Sequence, residues 1–126
     1  MKTAKPKRVA GFTLVEIMIV VAIIGLLAAI AIPSFVHARA TSQANACINN
    51  LRQIDAAINE WALEQGKQTG QGPASLTTDL TPYIKLNANN AIPSCPAGGT
   101  YTTFAVGATP QVSCNLSTLD PPHALK

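Results

Sequence analysis

Gly11-Phe12-Thr13-Leu14-Val15-Glu16, followed without a break by Ile17-Met18-Ile19-Val20-Val21-Ala22-Ile23-Ile24-Gly25-Leu26-Leu27-Ala28-Ala29-Ile30-Ala31-Ile32-Pro33-Ser34-Phe35-Val36, decides how the rest of the chain is read. From Ile17 to Val36 no residue is charged, and only Gly25, Pro33 and Ser34 are not plainly apolar. As a helix that run is about 30 Å long, the thickness of a bilayer's hydrocarbon core. One acid, Glu16, stands at its upstream edge. A carboxylate in that position is costly against lipid and marks a place where a partner is needed.

Outward from the stretch, the leader is basic. Lys2, Lys5, Lys7 and Arg8 supply four positive charges before Gly11. The remainder holds five basic residues against six acidic ones, so the overall +3 belongs to the leader. Positive charge stays cytoplasmic, which puts residues 1–8 inside and the chain after Val36 outside. Ala28-Ala29-Ile30-Ala31 offers small residues of the kind found at signal cleavage sites, but apolar sequence continues to Val36. The segment is therefore expected to be retained. The body has no basic patch, and nucleic acid is not an expected partner.

Downstream, small or apolar residues recur at Ala40, Ala44, Cys47, Leu51, Ile54, Ile58 and Trp61, spaced alternately by four and three. That is one face of a helix. Ile48 and Ala62 widen the face, and Gly66 sits where a helix would end. Gly25 and Pro33 are the expected soft points; Pro33 lacks an amide hydrogen and crowds the carbonyl four residues back. Residues 66–75 read as a loop. Leu76, Leu80 and Ile84 predict a short helix limited by Pro82. Thr100–Val106 and Gln111–Leu116 predict two strands joined by a turn at Gly107-Ala108-Thr109-Pro110, with Cys114 inward and Phe104 sharing a face with Val106. The expected fold is α+β: a leader (1–11), a membrane or filament-core helix (12–36), an amphipathic spine (37–65) and a small head (66–126).

The hexapeptide Gly11–Glu16, with a basic leader before it and an apolar run after it, resembles the N-terminal motif of type IV pilins and of type II secretion pseudopilins. Gly25 and Pro33 fall where that family commonly has a glycine and a proline. The resemblance implies cleavage by prepilin peptidase between Gly11 and Phe12, N-methylation of Phe12, and an assembly role for Glu16. It also implies an inner-membrane assembly platform, the lipid bilayer and identical or related subunits as partners, with the head entering a periplasmic or extracellular filament. Glycine at position 11 leaves the backbone open to a peptidase. Glu16 lies one helical turn from Phe12, so its carboxylate can meet the new amine within one chain or between neighbours. A plain signal-anchor helix explains Glu16 alone, but not Glu16, the leader and the Gly11–Phe12 pair together. Cys95-Pro96-Ala97-Gly98-Gly99-Thr100-Tyr101 is also similar to a segment of small-headed pilin-like proteins. Pilus and pseudopilus stay open, as does a minor pilin or tethered module that binds a secreted substrate, DNA or a surface.

Cys47, Cys95 and Cys114 remain. Outside the cytoplasm a disulfide is favoured, with Cys95–Cys114 the first choice and Cys47–Cys114 the alternative. A zinc site of the three cysteines with His37 or His123 is conceivable. No Cys-x-x-Cys pair supports it, and both histidines are expected to be exposed, so no metal is expected. Some pseudopilins bind calcium through acidic loops, but only Asp79 and Asp120 are acidic after Glu64. No cofactor follows, and no nucleophile–base–acid set or phosphate loop points to an enzyme.

Overall fold

The structure, a computed structural model, describes residues 11–125. The expected leader charges at Lys2, Lys5, Lys7 and Arg8 lie outside the described residues. The chain divides into two compact units between Val36 and His37. Helix α1, Leu14–Glu64, contributes to both.

In the first unit every residue from Gly11 to Val36 except Ala28 is exposed, and Ala28 is half-buried. The helix is assigned without interruption through Gly25 and Pro33. Pro33 has no N–H to give the Ala29 carbonyl, and one residue on Ser34 Oγ donates back to the Ile30 carbonyl (3.4 Å). This α1 segment is long and apolar enough to cross a membrane.

In the second unit the alternating four-and-three stripe is the core. Ala44, Cys47, Leu51, Ile54, Ala57, Ile58, Trp61 and Ala62 are buried along α1. Leu80, Ile84, Cys95, Val112 and Cys114 pack against them. The helix ends in a complete Schellman motif. Gly66 takes φ 61°, Lys67 N–H donates to Ala62 O (2.8 Å) and Gly66 N–H to Leu63 O (3.4 Å). Glycine fits because the left-handed conformation crowds any Cβ. Lys67 then returns over Trp61, its ammonium 5.7 Å from the ring centroid.

The short helix expected near Leu76 is split in two. Helix α2 covers Leu76–Asp79, and a 3₁₀ turn covers Thr81–Tyr83 with Pro82 inside it. Ser75 caps α2, accepting from Thr78 N–H, while Asp79 accepts from Ser75 N–H (3.0 Å). Leu80, between the two pieces, is fully buried.

Strands β1 (Tyr101–Thr103) and β2 (Val112–Cys114) pair antiparallel, with Tyr101 opposite Cys114 and Thr103 opposite Val112. Val112 and Cys114 point into the core as alternation requires. Both strands are shorter than expected; Tyr101 and Thr103 take the half-buried face of β1, and alternation turns Thr102 and Phe104 outward, Phe104 to 45 % exposure. The ladder ends on a competing partner just past Phe104, whose N–H still donates to Gln111 O (2.7 Å). Val106 N–H donates to Gln71 O (2.8 Å) and Gly70 N–H to Val106 O (3.0 Å), so the 66–75 loop takes over as partner beyond Phe104. Gly72 permits this approach: a Cβ there would lie 3.0 Å from the Phe104 carbonyl oxygen.

Candidate functional site

The first candidate site is the entry to α1. Thr13 and Glu16 form a capping box. Thr13 N–H and Thr13 Oγ1–H both donate to Glu16 Oε2 at 2.8 Å, and Glu16 N–H donates to Thr13 Oγ1 at 3.2 Å. Reciprocal bonding of this kind satisfies amides that no helical carbonyl can reach. Ile17 N–H completes the start by donating to Thr13 O (3.4 Å). Glu16 therefore has an intramolecular partner, and that partner is Thr13. The Thr-x-x-Glu spacing at positions 13 and 16 is the sequence signal for this cap.

Both side-chain bonds fall on Oε2, and Oε1 takes none from the described residues. A carboxylate accepts about four hydrogen bonds, so capacity remains for an amine. Phe12, immediately before the capping threonine, is 85 % exposed. Gly11 stands in open space, with nothing within 4 Å of where a Cβ would be. The two residues flanking the expected cut are thus accessible.

The second candidate site lies in the second unit and departs from the sequence expectation. Cys47, Cys95 and Cys114 are unbridged in this structure and all three are buried. His123 is not exposed but 3 % accessible. It joins the three sulfurs: the four candidate ligand atoms all lie within 4.8 Å of one another. Cys95 Sγ is 3.3 Å from His123 Nδ1. His37 stays exposed and apart from the cluster.

Four segments bring these residues together. Cys47 comes from the buried face of α1. Gln43 and Asn50, one turn to either side, hold the strand of chain that carries Cys95. Gln43 Nε2 donates to Pro96 O (3.3 Å) and Asn50 Nδ2 to Ser94 O (3.0 Å). Cys95 opens a turn closed by Gly98 N–H donating to Cys95 O (3.0 Å), with Gly98 at φ 82°. Cys114 ends β2. His123 is returned by the Leu116 carbonyl, which accepts from Leu119 N–H (3.2 Å) and His123 N–H (3.4 Å).

The electrostatics are uneven. Burial pushes the Cys47 thiol up to about 12, although a hydrogen bond from Tyr101 works the other way. Burial also acts on Cys95, but hydrogen bonds from the backbone N–H groups of Ala97 and Gly99 and from the other two thiols outweigh it and hold Cys95 below the usual thiol range. Burial raises the Tyr101 phenol, reinforced by Cys47. In the thiol form Cys114 donates to Asn115 Oδ1 (3.8 Å), which also accepts from Thr100 N–H (2.9 Å).

A capped, exposed apolar helix whose second half is the spine of a small α+β head defines a pilin-like architecture. The comparisons with known proteins agree. The family model for the prokaryotic N-terminal methylation motif matches residues 6–32. The type IV major fimbrial protein FimA of Dichelobacter nodosus is 41 % identical over 102 residues, covering 79 % of this chain and 65 % of that protein. The type IV major pilin PilE1 of Neisseria gonorrhoeae is 39 % identical over 80 residues, 60 % of this chain and 48 % of that one. PilA of Myxococcus xanthus, also a type IV major pilin, is 47 % identical over 57 residues, 45 % and 26 % of the two chains. The chain spans less than two thirds of the length of these curated relatives. No solved structure gives a significant match. The chain is thus similar to type IV major pilins, and its N-terminal segment carries the methylation motif.

Proposed function

We propose that the chain is a structural subunit of a type IV pilus, cleaved between Gly11 and Phe12, N-methylated on Phe12, and assembled through the first half of α1. The observation that carries this reading is the Gly11–Glu16 motif set directly against an exposed apolar helix, in a chain related to type IV major pilins. A face with no partner inside its own unit can be covered by lipid before assembly and by other subunits afterwards. The names of the relatives favour a pilus over a secretion pseudopilus. They also favour a structural role over a catalytic one.

The capping box gives Glu16 a part in both states. In the uncleaved chain it satisfies Thr13 at the helix start. After the cut, the Phe12 amine becomes the residue next to Thr13, and the free Oε1 can receive a neighbour's amine. Burying that ion pair between subunits specifies axial register, because a shifted helix leaves both charges unpaired. In the membrane, residues 1–8 lie on the cytoplasmic side, where prepilin peptidase and the assembly platform meet the chain, and the head lies outside.

The test is Glu16→Ala, measured in a strain that depends on this subunit. The variant is expected to be processed at Gly11 yet to yield at least about tenfold fewer sheared filaments, consistent with the loss of a buried ionic partner worth about 3–5 kcal/mol. Filaments at the unsubstituted level would refute the assembly role.

A further inference from the structure

We propose that Cys47, Cys95, Cys114 and His123 form a structural zinc site that fastens the head in place of a disulfide. The geometry is that of a tetrahedral site before contraction. With Zn–S near 2.3 Å and Zn–N near 2.0–2.1 Å, a regular tetrahedron puts ligand atoms about 3.6–3.8 Å apart. Here all four atoms lie within 4.8 Å of one another, and the closest recorded pair, Cys95 Sγ and His123 Nδ1, is at 3.3 Å. Closing onto an ion requires shifts of only a fraction of an ångström to about one ångström.

A disulfide accounts for less of this arrangement. It engages two sulfurs and leaves a buried odd thiol beside a buried imidazole. His123 is the one buried polar or charged residue among the described residues, and its ring is turned to sulfur. A Cys₃His set uses all four groups and is closed, as structural zinc sites are. The surroundings are built to support it. Gln43 and Asn50 lock the segment around Cys95 onto α1. Gly99 leaves the needed room, since a Cβ there would lie 2.6 Å from Cys114 Sγ.

The site would also supply what the head lacks. Its sheet has two three-residue strands, and long loops connect its elements. Small domains of this kind commonly rely on a disulfide or a metal. One ion would tie α1, the Cys95 turn, β2 and the C-terminal segment together. Binding displaces three thiol protons to solvent and involves no redox change.

The experiment uses the full chain, extracted from its own membrane in mild detergent without chelator, with metal measured by plasma mass spectrometry and thiols by non-reducing peptide mapping. The expected result is one zinc per chain, with three cysteines that alkylate only after chelation under denaturing conditions. Cys114→Ser and His123→Ala should each lower the zinc content at least tenfold. His123→Cys should restore it, because a Cys₄ set binds zinc equally well; circular dichroism confirms that each variant keeps its helix. If the chain is isolated reduced but without metal, Co²⁺ alone is added. The intense visible and near-ultraviolet bands of tetrahedral cobalt–thiolate coordination support the site, and their absence overturns it. A disulfide between any two of the three cysteines in the isolated chain also overturns it.

Discussion

The two halves of α1 differ in burial, so equivalent cuts in them should have different consequences. Ile54→Ala removes a side chain that is fully buried in the second unit; Ile23→Ala removes one that is 53 % exposed in the first. At Ile54 three carbons are lost from the core, about 2.4 kcal/mol at ~0.8 kcal/mol per buried methylene. The cavity left behind brings the cost to about 2–5 kcal/mol. A small domain is stable by about 5–15 kcal/mol, so one substitution takes a large share of the total. With ~4–8 °C lost per kcal/mol, the melting temperature of the head should fall by at least about 10 °C. Trp61, the only tryptophan and 8 % exposed, provides the fluorescence signal. The assay is thermal and urea unfolding of the full chain in detergent. Ile23→Ala should leave the Trp61 transition within about 2 °C, since its contacts are with detergent. A shift below about 4 °C for Ile54→Ala, or equal shifts for both variants, would refute the division of the helix.

Two further predictions follow from local geometry. Gly99→Ala should destabilise the head by about 1–3 kcal/mol, because the new Cβ meets Cys114 Sγ at 2.6 Å and Asn115 Oδ1 at 2.9 Å. Gly98→Ala has open space and pays only for its positive φ, about 1 kcal/mol, so urea midpoints should rank the two variants in that order. Thr13→Ala removes one half of the capping box, and hydrogen exchange at the Glu16 amide should accelerate by about 2- to 30-fold, equivalent to about 0.5–2 kcal/mol. Exchange unchanged from the parent chain would show that Glu16 is held by something other than Thr13.

The parts of this molecule governed by local rules were legible in the sequence. The stripe from Ala44 to Trp61 announces its helix because burial on one face requires that spacing, and Gly66 marks its end because the Schellman motif requires a positive φ. The strands were read too long because propensity at Phe104 and Val106 says nothing about a rival partner at Gly70 and Gln71. The cluster was illegible for a different reason. Its members run from Cys47 to His123 with no paired spacing, and only the fold brings them together. His123 in particular follows Pro121 in a segment without periodicity, and its burial depends on the Leu116 carbonyl turning the chain back. At the N-terminus one pair carries two signals: Thr13 and Glu16 have capping-box spacing as well as the motif resemblance.

The central claim is that this chain lives first as a membrane precursor and then as a filament subunit beginning at Phe12. Intact-mass and N-terminal fragment analysis of filaments sheared from cells tests it most directly. The account predicts a subunit that lacks residues 1–11 and begins with N-methylated Phe12. A chain that keeps Lys2 through Gly11, or that is absent from the sheared fraction and found only in the membrane, would contradict it.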